Sequence, residues 1–386
     1  MSFKRKRGQG TNQSSNDVDT SKPSALFKPT GGRNSTLSVA LPSSIISNAQ
    51  SHELKTSLAG QIARALAVFC VDEVVIFEDG TGRGASGSGG NGYHSVGNGD
   101  QSYTGYSNPS HFLMHILSYL ETPPHLRKHL FPLHPNLRTA GTLPSLDMPH
   151  HLRADEWCQY REGVTLAEEP VTFATPSSNT SDSRKGKSKK SKTKLEETEN
   201  SLVDAGLRRK VLVEGASIPP NTRVTIKFPS QELPPSTSDL IISGEAVSPD
   251  LLREEAGYYW GYSIRRAPSV SAVFTECAYD GGYDLSFGTS ERGLPLREAV
   301  LENRQEARTT PPGFKHMLVV FGGVQGLEAA VTADEELARK GVLDPEALFD
   351  HWVNLHPGQG SRTIRTEEAV WMGLMGLRDV VENNTI

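Results

Sequence analysis

Cysteine is scarce in this chain. Only Cys70, Cys158 and Cys277 occur in 386 residues, far apart and without a C-x-x-C pair. That argues against a zinc ribbon or a disulfide framework and for a reducing compartment. Long apolar runs are missing too. None approaches the roughly 20 residues of a membrane-spanning helix, and the basic, polar N-terminus is unlike a secretory leader. The expectation is a soluble intracellular protein with no membrane partner. Neither sign of charge dominates: 40 basic against 45 acidic side chains leave a formal charge of −5. A nucleic-acid partner would therefore have to meet local basic patches.

Several familiar motifs are absent as well. No G-x-x-x-x-G-K-[ST] loop is present near the glycines of 354–370, where the lysine is missing. The dinucleotide fingerprint fails there because Thr363 stands where its third glycine belongs. No acidic Gly-rich loop follows an early strand, as in the common methyltransferase fold. The stretch after Gly288 misses the G-x-S-x-G elbow because Arg292 occupies its last position, so Ser290 is not expected to be a nucleophile. His125 and His129 are spaced i, i+4 without the glutamate of H-E-x-x-H. They read as surface histidines, as do His150 and His151, and no metal is expected.

What is present is a repeated pattern of apolar strand, Gly-rich turn and helix start. In 354–370, NLHPGQGSRTIRTEEAV follows an apolar run and enters a helix near Thr366, which suits an N-cap. Glu367 and Glu368 complement the positive helix end. Ala369, Val370, Leu374 and Leu377 form an apolar face. Similar turns follow at 288–293 and 322–328, after expected strands at 283–287 and 317–321. Each is either an ordinary connection or part of one ligand site where strand ends meet. Glycines beside Arg362 and Arg365 suit a nucleotide-like ligand or an RNA phosphate.

Along the chain, residues 1–33 are polar and expected to be disordered. Their cluster Lys4-Arg5-Lys6-Arg7 is either a nuclear address or a solvated tail. A strand over 37–41, a helix over 53–69 and a strand over 72–77 predict a β-α-β unit. Residues 79–109 read as a flexible surface loop, whose tyrosines suit base stacking but are taken as low-complexity filler. Helices follow at 111–121 and 125–130. From Tyr160, short alternating runs at 162–166, 210–213 and 222–228 predict a small OB-like barrel. A polar insertion at 176–200 carries Arg184, Lys185, Lys187, Lys189, Lys190, Lys192 and Lys194. It is either solvated chain or a mobile arm that contacts RNA phosphates. The α/β pattern returns at Gly257, with a strand over 258–264 and a helix over 269–277.

Six segments, TLSVALP, AQSHELKTSLAGQIARALAVFCVDEVVIF, YYWGY, GTSERG, VVFGGVQGLEA and PGQGSRTIRTEEA, together resemble the SPOUT methyltransferase superfamily. The similarity is closest to its eukaryotic and archaeal branch of RNA methyltransferases with an inserted barrel, and runs from Ser35 to about Leu377. It implies an α/β fold: a knotted parallel sheet with helices on both faces, plus the small OB-like β-barrel. The domain organisation is then a basic tail at 1–34, a discontinuous methyltransferase domain at 35–159 and 257–386, and the barrel at 160–256. The resemblance implies S-adenosylmethionine as cofactor, a homodimer, and RNA, with ribosomal RNA expected, as substrate. The cofactor residues it implies are Thr289, Ser290, Gly322, Gly323, Gly326, Gly358, Gly360, Ser361 and Thr363, with Glu328 and Asn354 for ribose or methionine contacts. Arg292, Arg362 and Arg365 are the candidates for catalysis, holding phosphate or stabilising a deprotonated base, or else are paired with Glu291, Glu367 or Glu368. Uridine N3 is the target by analogy. The alternative is a non-catalytic RNA-binding or assembly factor that keeps the fold. Localisation is expected in the nucleus or nucleolus, with the cytoplasm as the other option.

Overall fold

Alternation along the strands explains the architecture of the computed structural model, which describes residues 31–80, 102–167, 200–231, 241–300 and 313–384. In chain order the first elements are β1 (Thr36–Pro42), α1 (His52–Val68), β2 (Glu73–Phe77), α2 (Pro109–Glu121) and α3 (Pro124–Leu130). Five strands follow: β3 (Tyr160–Thr165), β4 (Asn200–Asp204), β5 (Lys210–Glu214), β6 (Arg223–Lys227) and β7 (Ile241–Val247). Then come β8 (Ser263–Ala267), α4 (Val270–Thr275), β9 (Leu285–Pro295), β10 (His316–Val320), α5 (Gly326–Ala333) and α6 (Glu335–Lys340). The chain ends with β11 (His351–Asn354), α7 (Thr366–Gly376) and α8 (Arg378–Glu382).

Six strands form one parallel sheet in the order β11-β9-β10-β1-β2-β8. Val39, Val74, Ile76, Met317 and Val319 point to the face covered by α1, α2 and α7. Their neighbours Ala40, Val75, Phe77, Leu318 and Val320 point to the face covered by α4, α5 and α6. Burial on both faces is what a parallel sheet requires, and it explains why these strands read as continuous apolar runs. Helix α1 begins where the Ser51 hydroxyl accepts from the Leu54 N–H at 3.2 Å. The connection from β9 to β10 includes residues 301–312, so the expected knot of the C-terminal part lies partly outside the described residues.

The remaining five strands close into a barrel, β3-β4-β5-β7-β6, around Val203, Val211, Val213, Ile226 and Phe228. Closure removes exposed strand edges. Strand β4 starts at Asn200, the last residue of the expected polar insertion. The rest of that insertion, with all seven of its basic residues, lies outside the described residues.

Three expectations change. The strand expected over 258–264 is shifted to Ser263–Ala267. Gly261, at φ +91°, breaks the extended chain before it. The buried aromatics there anchor instead of pairing: Trp260 Nε1 donates to Glu162 Oε1 at 2.7 Å, and the Tyr262 hydroxyl to the Leu117 carbonyl at 3.2 Å. The loop over 79–109 is not all loose surface: its described end, 102–108, packs on α1 through Tyr103 and Tyr106.

The histidines expected at the surface are structural. His150 and His151 are 1% and 7% exposed, and both Nε2 atoms bond the Glu121 carbonyl, at 3.0 and 2.7 Å. Burial, reinforced by His150, pushes the His151 imidazole down to about 3. His125 is half-buried, with Nε2 3.1 Å from the Glu162 carbonyl, and His129 is half-buried as well. Among the described residues, no group of three His, Cys, Asp or Glu side chains is arranged to hold a metal ion. No described helix is long and apolar enough to cross a membrane.

One charged cluster fixes the barrel to the sheet domain. Arg223 of β6 donates from Nη1 and Nη2 to the two Glu121 oxygens at 2.5 and 3.0 Å, and from Nε to Glu162 at 2.6 Å. Glu162 also accepts from Thr225 at 2.6 Å. Burial alone raises the Glu121 carboxyl, but the Arg223 guanidinium and His150 outweigh it and hold it well below the usual carboxylate range.

Candidate functional site

The three Gly-rich turns meet because their strands, β11, β9 and β10, are neighbours in the sheet. In β9 the pairing passes from Gly288↔Trp352 directly to Leu294↔Val353, so Thr289 to Gly293 bulge out together. Gly293 is where the bulge returns against β11; a Cβ there would lie 2.5–2.7 Å from the Val353 backbone. After β10 the chain turns at Gly323, whose carbonyl accepts from the Gly326 N–H at 3.0 Å, and Gly326 sits at φ +73°. After β11 the Asn354 side chain accepts from the His356 N–H at 3.0 Å and donates to the Glu291 carbonyl at 2.8 Å. Gln359 then bonds Glu291 at 3.2 Å and the Ser361 carbonyl at 3.1 Å.

Thr366 has a different role from the expected helix cap. It is the first helical residue, and Arg365 precedes the helix, with its N–H bonded to Glu368 at 3.0 Å. The Thr366 hydroxyl is instead donated to the Gly322 carbonyl at 3.0 Å, tying the second turn to the third.

Together the turns wall a cleft of about 810 Å³, within the usual range for a small-molecule site. Thr289, Ser290, Gly322, Gly323, Gly326, Glu328, Asn354 and Thr363 line it, and so do Arg292, Arg362 and Arg365. Gly358, Gly360 and Ser361 are exposed residues of the third turn that do not line it. Nothing lies within 4 Å of a Cβ built on Gly358 or Gly360. Around the second turn the bare backbone has a reason. A Cβ on Gly323 would approach Ser44 Oγ to 2.9 Å and Asp79 Oδ2 to 3.1 Å, and one on Gly322 would come within 3.1 Å of the Gly326 backbone.

The far wall was not foreseen. It comes from Asn48, Ala49 and Gln50 and from the α1 face carrying Leu54, Ser57, Leu58 and Gln61. The signal available was the i, i+4 pair Ser57 and Gln61 beside Leu54 and Leu58.

Polar groups in the cleft are unevenly engaged. The Thr289 hydroxyl is donated to the Val320 carbonyl at 3.1 Å. Ser290 Oγ lies 3.3 Å from Glu328 Oε1, in the first turn of α5. Arg292 is 3.8 Å from Glu328 and Arg365 is 3.9 Å from Glu367, both with largely exposed guanidinium groups. Such pairs are weak and open readily. Among the described residues Arg362 makes no ion pair. The cleft therefore joins closely approachable backbone, carboxylates and a free guanidinium, a set that fits a nucleoside-bearing ligand next to a polyanion.

The family model described as "Putative RNA methyltransferase" matches residues 36–377. A human 28S rRNA (uridine-N(3))-methyltransferase is 43% identical over 354 residues, covering 92% of this chain and 81% of that protein. The mouse protein of the same name is 43% identical over 347 residues, 90% of this chain and 77% of its own length. The Drosophila melanogaster counterpart is 44% identical over 351 residues, 90% of this chain and 63% of its own.

Proposed function

Because the chain belongs to the SPOUT-type family of RNA methyltransferases, we propose that it methylates N3 of a uridine in large-subunit ribosomal RNA. The observation that carries the reading is the cleft itself, where three Gly turns meet and Arg362, which makes no ion pair among the described residues, joins the lining. S-adenosylmethionine fits the second turn, where Gly322, Gly323 and Gly326 leave no room for side chains and present backbone N–H and C=O groups. When bound, it supplies a methyl group on a sulfonium, an electrophile that needs no covalent help from the protein.

The chain's own residues have three tasks. Backbone groups of the turns position the adenosyl moiety. A uridine N3–H must lose its proton, and the cleft offers the Glu291, Glu328 and Glu367 carboxylates as acceptors. The negative charge then spread over the base needs a cation, and Arg362 is available. Positioning and electrostatics supply most of the rate in such a site. The basic run 184–194 supports the RNA reading from sequence, as a source of phosphate contacts.

The experiment is methyl transfer to ribosomal RNA by the purified protein, with N3-methyluridine identified by mass spectrometry. Wild type is expected to form it. Arg362→Ala is expected to lower the single-turnover rate at saturating RNA by roughly 10²-fold, with cofactor affinity within about twofold of wild type. Cofactor binding without any transfer to ribosomal RNA overturns the reading.

The homodimer belongs to the same proposal. Its support is an apolar surface on neighbouring helices: Trp371 and Met375 of α7 are 37% and 65% exposed, and Val68 of α1 is 46% exposed. Patches of this kind mark association sites. Light scattering is expected to give a dimer for wild type and a monomer for Met375→Glu; a wild-type monomer that retains activity excludes it. A nuclear or nucleolar location fits the substrate and the Lys4–Arg7 cluster.

A further inference from the structure

Tyr106 is unusual among the aromatic side chains: of the described residues, only it, at 63%, and Trp371 are exposed. Exposure in a connecting segment normally leaves a ring mobile. Here three contacts hold it. Its hydroxyl donates to the Gln50 carbonyl at 2.9 Å. The Lys55 ammonium lies 4.4 Å from the ring centroid, against one face. Tyr103 meets it edge-on, with centroids 5.4 Å apart. Lys55 is itself fixed, fully buried and bonded to the Ile46 carbonyl at 2.5 Å. The ring is therefore a rigid plate with one face backed and the other open to solvent.

The place of the plate is as telling as its rigidity. Gln50, which holds the hydroxyl, lines the cleft, and so does Leu54, one residue before Lys55 and 56% exposed. Tyr106 does not itself line the cleft, but it is held against Gln50 and Lys55, beside the residues of its α1 wall. We propose that Tyr106 is a stacking platform for the nucleobase next to the methylated one. This rests on the RNA methyltransferase reading and adds to it a binding site of defined chemistry. A base drawn into the cleft must leave its stack, and its neighbour loses a partner at that moment. An open aromatic face restores the stacking without demanding a particular base, because every base has a π-face. Continuity with the cleft favours this occupant over a protein side chain.

The test uses the full-length protein and a single-stranded RNA oligonucleotide containing the target uridine. It is compared with the same RNA made abasic on both sides of that uridine. Tyr106→Ala is expected to weaken binding of the intact RNA by roughly 5- to 150-fold, and Tyr106→Phe and Tyr106→Trp by far less. On the abasic RNA, wild type and Tyr106→Ala should converge. Calorimetric S-adenosylmethionine affinity should be unchanged in all variants. Four results overturn the proposal: wild-type RNA affinity in Tyr106→Ala, equal losses in the Phe and Ala variants, loss of cofactor binding, or a change of oligomeric state in Tyr106→Ala. The last would assign the ring to a protein contact. Wild-type protein that binds cofactor but no RNA would overturn both this inference and the reading beneath it, and would be seen before any variant is compared.

Discussion

Arg223→Met is expected to lower the stability of the protein by about 3–5 kcal/mol, as removal of one partner of a buried charge pair does. The side chains of Glu121 and Glu162 are 7% and 3% exposed, and Arg223 is the cation that faces both. Without it, two largely buried carboxylates face each other, and the ring of bonds through Thr225 and Trp260 loses its counter-charge. Chemical denaturation monitored by tryptophan fluorescence measures this directly, since Trp260 belongs to the cluster. A loss below about 1 kcal/mol would mean that solvent replaces the guanidinium at its 31% exposed edge. The pH dependence has a definite sign. The folded-state carboxyl of Glu121 lies below its unfolded value. Its contribution is therefore present above the ordinary carboxylate range, near pH 4–5, and is lost as pH falls towards the depressed folded value. Wild type should lose stability on acidification through that window, and Arg223→Met should lose markedly less.

Gly326→Val is expected to reduce affinity for S-adenosylmethionine by roughly tenfold or more. Its φ of +73° is strained for a side-chain-bearing residue, by roughly 1–3 kcal/mol. The new Cβ would also fall 2.2 Å from Glu328 Oε2, forcing that carboxylate out of its place beside Ser290. A tenfold change corresponds to about 1.4 kcal/mol, so the strain alone suffices if the turn relaxes by leaving its bound shape. Gly360→Ala is the control. Nothing lies within 4 Å of a Cβ there, and affinity should stay within about twofold. Calorimetry on the two variants, with circular dichroism to confirm folding, checks the contrast. Equal losses would place the cofactor against Gly360 of the third turn as well.

These two variants also show what could be read from the residues alone. The strand-helix-strand start was legible because Leu58, Ile62 and Leu66 repeat at helical spacing and Val74, Val75 and Ile76 form a short buried run. The barrel was legible from short alternating strands. Its β4 was obscured because Asn200 and Ser201 continue the polarity of the insertion before it. Tyr258 to Tyr262 has the composition of a strand, and only Gly261 hinted that the chain bends there. His150 and His151 illustrate a different blindness: residue type predicts exposure, while a single carbonyl, that of Glu121, is enough to make both structural. At the site, the glycines of the second turn and the arginines of the third stood out in the sequence, and they line the cleft. Gly358 and Gly360 stood out equally but are exposed and do not line it. The α1 wall and Tyr106 come from segments far from those turns, and only the fold brings them together.

The strand order bears on how the molecule comes into being. The middle strand β1 is made first, yet its Thr36 pairs with His316, 280 positions later. On a ribosome, β1 and β2 must wait with both outer edges unpaired, for β10 and β8, while the barrel, whose five strands lie within one stretch of chain, completes itself. Large separations of this kind slow folding and expose aggregation-prone edges. The inserted barrel thus emerges as an early, independently closing unit, and the cleft is among the last features to form, since it needs β10, β11 and α7. A chain cut short after the barrel would carry a finished domain beside an unfinished sheet, a natural substrate for chaperones.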